Sequence, residues 1–276
     1  MKTWLITGIS RGLGQALAQA ALDRGDTVIG TVRDGAVDLD TGMGKLHVLP
    51  LDIAERGAAE PVMARAFELG GRIDVIVNNA GYGLLGAVEE ATDAEIDHLF
   101  EVNVFGPIRL IRAALPRLRT QGNGHILNVT SIAGRAPMAS SGVYAAAKSA
   151  MEGLSRSLSQ EIGPLGIKVT AVAPGGFRTD FLSDHSIRRS SGTGDAYAGT
   201  VGRALAHLAE IKSRQIGDPA RGARAILAAV DAEAPPLHLL LGSDALRRVR
   251  EKEDAVIEEL DRWEEVTRST DFPAQA

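Results

Sequence analysis

The chain has 276 residues, 45% of them hydrophobic and 24% charged, with a formal net charge of −5 and no cysteine. The missing cysteine excludes a disulfide framework, a thiolate zinc site and cysteine nucleophile chemistry. No apolar run approaches the about 18 residues of a membrane-spanning helix, and no basic tract marks a nucleic-acid surface. A chain of this length buries a sizeable core without staples. Residues 1–8 are read as leading straight into a strand rather than as a signal peptide, so a soluble, cytoplasmic globular protein is expected.

Short apolar runs then alternate with longer amphipathic segments. The runs at residues 4–7, 27–31, 47–51, 74–78, 125–130, 168–173 and 237–241 predict about seven strands. Between them, apolar residues fall at helical spacing, as in Leu13, Leu17, Ala20 and Ala21, or Leu154, Leu158 and Ile162. This alternation predicts an α/β fold with a parallel sheet covered on both faces, and right-handed crossovers make a Rossmann-type doubly wound sheet the leading topology. No repeat or Pro/Ser linker divides the chain, so residues 1–276 are read as one domain. Two segments break the pattern. Residues 181–217 hold a Gly/Ser-rich stretch followed by an amphipathic piece at 203–212, which reads as a substrate loop. Residues 243–276 form a C-terminal helical extension, helix-prone over 243–268, whose stripe of Leu246, Val249, Val256, Ile257, Leu260 and Trp263 is expected to pack on the body. A subunit contact or a pocket wall is the alternative.

The first strand runs into Thr7-Gly8-Ile9-Ser10-Arg11-Gly12-Leu13-Gly14, and a helix follows. Glycines there permit a tight turn and close approach of backbone to a pyrophosphate at the helix N-terminus, while Gly14 lets the helix pack against the strand. An acidic residue at the end of the second strand would hold a ribose hydroxyl, but Val32 and Arg33 stand there instead. Arg33 and Arg11 together suit a ribose phosphate, which favours NADP(H) over NAD(H). The alternative is a pair of solvated arginines with Asp34 as the ribose ligand.

The glycine loop, Asn78 to Gly81, Ser131 and Pro174-Gly175 all fall at strand C-termini, where ligands bind in open α/β sheets. Tyr144 and Lys148 lie one helical turn apart on one face. An ammonium beside a phenol lowers its pKa, so Tyr144 becomes a candidate proton donor to a carbonyl oxygen, with Ser131 holding that oxygen. The six histidines have no metal-ligand spacing, and no metal is expected.

These elements, with Asp52, Asn103 and Thr179, resemble the short-chain dehydrogenase/reductase family in its compact single-domain subgroup, over about residues 1–242. The resemblance implies a catalytic tetrad of Asn103, Ser131, Tyr144 and Lys148. In it Tyr144 is the acid/base, Lys148 lowers the tyrosine pKa and binds the nicotinamide ribose, and Asn103 anchors a water relay. It further implies cofactor contacts from Gly8, Ser10, Arg11, Gly12, Leu13, Gly14, Arg33, Asp52, Ile53, Asn79, Ala80, Gly81, Pro174, Gly175, Phe177 and Thr179. The segment from Asn79 to Gly86, with the helical tail, is similar to the 17β-hydroxysteroid dehydrogenase branch.

Leu84, Leu85, Met138, Val143 and Phe181 are expected to line an apolar substrate pocket, with His185 as a substrate contact. Arg188 and Arg189 are either solvated or receptors for an acidic substrate group. The expected activity is interconversion of a small-molecule ketone and secondary alcohol, by a homodimer or homotetramer. A non-catalytic nucleotide sensor and a sugar-nucleotide epimerase or dehydratase are the alternatives.

Overall fold

The structure is a computed structural model describing residues 1–34, 37–183, 186–192 and 195–272. In chain order the main elements are β1 (Thr3–Thr7), α1 (Gly12–Asp23), β2 (Thr27–Val32), β3 (Lys45–Pro50), α2 (Ala59–Gly70), β4 (Val75–Asn78) and β5 (Gly83–Leu85). There follow α3 (Asp93–Phe100), α4 (Gly106–Gln121), β6 (Gly124–Val129), α5 (Gly142–Ile162), β7 (Ile167–Pro174) and β8 (Ile187–Arg189). The chain then forms α6 (Arg203–Glu210), α7 (Pro219–Asp231), β9 (His238–Leu241) and α8 (Ser243–Arg268).

Seven strands form one parallel sheet in the order β3-β2-β1-β4-β6-β7-β9. All seven expected strands are present, each within two residues of its expected bounds. They were legible because strands buried on both faces are continuous apolar runs, as in the fully buried β1 and β4. Successive side chains then divide between two cores. Leu5, Ile29, Ile76 and Ile126 pack under α2, α4 and α5, whereas Trp4, Ile6, Val28, Val77 and Leu127 pack under α1 and α7. The strand order reverses between β1 and β4, the switch point at which a Rossmann-type doubly wound sheet opens a crevice.

The expectation that α8 lays its apolar stripe on the body needs correction. Only Ala245 and Val249 are buried. Leu246, Val256, Ile257, Leu260 and Trp263 are all exposed, the last two by 63% and 58%. The first turns of α8 pack beside Ile132 and Ala136, and the rest extends past the surface they cover. β5 and β8 were not anticipated. They form a separate parallel pair, with Leu84 opposite Arg188. Among the described residues no helix is long and apolar enough to cross a membrane.

Candidate active site

The crevice is a cavity of about 820 Å³ along the C-terminal edge of the sheet, a size suited to a bound cofactor and small substrate. Its first wall is the glycine loop. Gly8 and Gly12 adopt φ of +73° and +63°, in the left-handed region that favours glycine. A Cβ on Gly14 would lie 2.3 Å from both Asn79 Nδ2 and the Gly8 carbonyl, so α1 approaches the strand ends only because that side chain is missing. Asn79 secures the loop by donating from Nδ2 to the carbonyls of Thr7 and Gly8 at 2.9 and 3.0 Å. Thr7 Oγ1 accepts from the Asn79 and Ala80 N–H groups, each at 3.0 Å. The N-cap residue of α1, Arg11, makes no side-chain cap, which leaves the helix's first N–H groups for a ligand.

Gly8, Ser10, Arg11, Gly12, Leu13, Arg33, Asp52, Ile53, Asn79, Ala80 and Gly81 line this end of the cavity. Pro174, Gly175, Phe177 and Thr179 line it further along. Gly14 stands behind the wall and acts through packing. Arg33 is exposed, with Nε 3.4 Å from Asp34, and both reach the cavity beside Val32.

Ser131, Tyr144 and Lys148 share the middle of the cavity. Ser131 sits just past the end of β6, where its hydroxyl accepts from the Ala133 N–H at 3.1 Å. Lys148 Nζ donates to the Val129 carbonyl at 3.0 Å and lies 5.8 Å from the centroid of the Tyr144 ring. Burial pushes Tyr144 up to about 12, against a lowering by the Ser131 hydrogen bond. Burial also brings Lys148 down to about 8. The expected lowering of the tyrosine pKa by the lysine is therefore not met here. Both groups are desolvated, so each favours its neutral form.

Behind this centre the structure supplies supports that sequence reasoning missed. Thr130 Oγ1 donates to Glu152 Oε1 at 2.6 Å, and Arg135 pairs with Glu152 Oε2 at 2.7 Å and contacts His238. Asn78, Asn128 and Ser155 form a buried chain, with Asn78 Nδ2 donating to Asn128 and Asn128 Nδ2 to Ser155. Together these tie β4 and β6 to α5, the helix bearing Tyr144 and Lys148. Asn103 lies in a π-helical turn, Glu101–Phe105, between α3 and α4, a distortion that is frequent at functional sites. Its Oδ1 accepts from the Tyr82 N–H at 3.1 Å and its Nδ2 donates to the Tyr82 carbonyl at 2.8 Å. It thus clamps the chain beside Gly81 without lining the cavity itself.

At the far end Met138 and Phe181 line the cavity as expected, but Leu84, Leu85 and Val143 do not. β5 buries Leu84 in a cluster with Leu99, Tyr144 and Met151, against which Val143 also packs. His185 lies outside the described residues. The wall instead uses Tyr82, His98, Arg188, His207, Leu208, Ile211, Gln215, Asp244 and Arg248. Gln215 is 6% exposed, and its Oε1 and Nε2 have no hydrogen-bond partner. Asp244 Oδ2 accepts from the Gly176 N–H at 2.8 Å, while its Oδ1 is buried and unpaired. Unpaired polar atoms facing a glycine-lined cleft fit a site that a bound dinucleotide would complete. A histidine with no neighbouring pattern and a lone Gln or Asp carry no sequence signal, so these were not legible.

The family profile for short chain dehydrogenases matches residues 2–189. An oxidoreductase of Botryotinia fuckeliana, BOA17, is 36% identical over 270 residues, covering 96% of this chain and 98% of the relative. A 3-ketodihydrosphingosine reductase of Bacteroides thetaiotaomicron is 34% identical over 238 residues, covering 86% and 87%. A solved short-chain dehydrogenase from Streptomyces avermitilis superposes with TM-score 0.88 at 40% identity, over 98% of this chain and all of that one. Another, from Sphingobium yanoikuyae in complex with NADPH, gives TM-score 0.69 at 25% identity over 100% and 98%. The chain belongs to the short-chain dehydrogenase/reductase family. It is an oxidoreductase that depends on a nicotinamide cofactor, NAD or NADP.

Proposed function

We propose that the protein is an NADP(H)-dependent reductase that interconverts a ketone and a secondary alcohol, with Tyr144 as the acid/base. The observation that carries this reading is the meeting of Ser131, Tyr144 and Lys148 in one cavity, with the Lys148 ammonium 5.8 Å from the centroid of the Tyr144 ring. A nicotinamide held along this cavity would supply the hydride, or accept it in the reverse direction. Ser131 would hold the substrate oxygen, and Tyr144 Oη–H would donate its proton to that oxygen as charge develops on it. Lys148, buried and fixed on the Val129 carbonyl, would face the nicotinamide ribose. Asn103 is a positioning residue: it fixes the Tyr82 backbone next to Gly81, close to the lysine.

The preference for NADP(H) rests on Arg11 and Arg33, which line the cavity where an acidic side chain would select NAD(H). Phe181, Leu182, Leu208 and Ile211 support segment 181–217 as the substrate loop. The same reading takes the chain as one catalytic unit, cytoplasmic, and assembled as a homodimer or homotetramer, which its family membership supports.

The test is NADPH oxidation by the purified protein against ketones of graded size. Turnover is expected for part of the panel, and Tyr144→Phe should lower kcat about 1,000-fold or more. The variant should keep its NADPH Kd within a few-fold, measured by cofactor fluorescence. Full activity in Tyr144→Phe would remove the mechanism.

A further inference from the structure

One polar cluster on the cavity wall is used neither by the cofactor end nor by the Ser131–Tyr144–Lys148 centre. The Tyr82 hydroxyl and His98 Nδ1 are 2.9 Å apart, and the Arg188 guanidinium lies over the Tyr82 ring, 4.7 Å from its centroid. All three line the cavity. Arg188 is held there by the small β5–β8 sheet, where it pairs with Leu84. Side chains alternate along a strand, so the neighbouring Arg189 points the other way, and it does not line the cavity. Among the described residues no carboxylate lies within ion-pair distance of Arg188.

The cluster is rigidly joined to the reacting centre. Asn103 clamps the Tyr82 backbone on both its N–H and its carbonyl. Phe181 lies 6.2 Å from the Tyr144 ring, and a Cβ on Gly83 would sit 3.5 Å from Phe181 and 3.4 Å from Ile187. A substrate with its carbonyl at Tyr144 would therefore run past Phe181 and the Tyr82 ring to the guanidinium. Arg248 also lines the cavity, where it donates to the Ala136 carbonyl. Among the described lining residues the carboxylates are Asp34 and Asp52 beside the glycine loop, Asp244, which holds the Gly176 N–H, and the exposed Asp180, while Glu95 acts on Tyr82 from outside the lining.

We propose that Arg188, stacked on Tyr82, is a substrate subsite for an oxyanion, so that the preferred carbonyl substrates carry a carboxylate or phosphate group remote from the ketone. An Arg guanidinium in a partly apolar wall binds such a group through charge-assisted hydrogen bonds and is less strongly hydrated than an ammonium. This inference rests on the reductase reading and identifies its substrate class.

The experiment compares kcat/KM with NADPH for methyl ketones of matched, graded length that end in a carboxylate, a phosphonate, a methyl ester or a primary amine. The anionic ketones should exceed the ester by about tenfold, with the amine lowest. The carboxylate and phosphonate arms distinguish the two sources of the oxyanion. Arg188→Gln should cut the acid-to-ester ratio about tenfold, Arg188→Lys should restore part of it, and Arg189→Gln should leave it unchanged. A wild-type preference for the ester or amine, or an acid-to-ester ratio that Arg188→Gln does not change, overturns the subsite. If no ketone is reduced, the reductase reading fails alone, and the subsite is then decided by thermal shift. Medium-chain alkanoates should stabilise the wild type more than the matching alkanols, and Arg188→Gln should abolish that difference; equal shifts in both proteins overturn it.

Discussion

The glycine-loop end of the cavity is walled by the ends of β1, β2 and β4, strands anchored in both cores. The far end is walled in part by Arg188 of β8 and by α6, which has no buried residue. The backbone of the first wall is inseparable from the packing of the protein, so changes to its packed residues should alter stability and cofactor binding together. On the α6 side this second wall rests on the body without being part of its core, and changes there should alter substrate choice while the fold persists. The same division lets one scaffold keep a fixed cofactor site and vary what it reduces.

Gly14→Ala should produce the largest effect. Its methyl would overlap Asn79 Nδ2 and the Gly8 carbonyl, each at 2.3 Å, and the second is backbone. Overpacking of this kind costs about 1–3 kcal/mol or more. Denaturant unfolding should show that loss, and the NADPH Kd should rise at least tenfold because the same shift moves the loop. Unchanged stability with unchanged affinity would show that the two functions of this wall can be separated.

Lys148 gives the comparison a pH dependence. Its folded pKa of about 8 lies below the ordinary lysine value of 10.5 because it is buried. Below about pH 8 both folded and unfolded chains carry the ammonium, and the folded state bears its desolvation. Between about 8 and 10.5 the unfolded chain holds a proton that the folded chain has released, so this residue makes stability rise with pH. Lys148→Met removes that contribution. The stability of the variant relative to the wild type should fall by about 2–3 kcal/mol from pH 7.5 to 10. A difference that stays flat with pH would mean that the buried amine titrates normally.

Arg33→Asp is expected to act on cofactor choice alone. Its side chain is 62% exposed and its ion pair with Asp34 is long, at 3.4 Å, so stability should change by under about 0.5 kcal/mol. The ratio of kcat/KM for NADPH to that for NADH should fall by about tenfold to a hundredfold. No fall would place the ribose-phosphate contact elsewhere.

What the sequence made legible follows the same boundary. β1, β4 and β7 were readable because a strand covered on both faces must be apolar throughout, and the glycine loop because backbone crowding leaves no other residue. Tyr144 and Lys148 were readable because helical spacing alone places them together. β5 and β8 were not, since three-residue strands are too short to carry a period. The Tyr82–His98–Arg188 cluster gathers residues from three elements distant in sequence, and no local pattern announces such a meeting. α8 was readable as a helix from its spacing, but periodicity gives the direction of an apolar stripe and not whether anything covers it.

The smallest effect on the fold should come from Leu208→Ala, on the lightly packed wall. Leu208 lines the cavity from α6 and is only partly buried, so truncation leaves no closed void in a core. The expected change in stability is under about 0.5 kcal/mol, read as a Tm shift near the limit of measurement. The NADPH Kd should not move, because α6 is separate from the glycine loop. The removed methyl groups widen the substrate end, so KM should rise for small ketones and fall for bulky ones, by about threefold to tenfold either way. A large loss of Tm would instead show that α6 is part of the core and that the two walls are one structure.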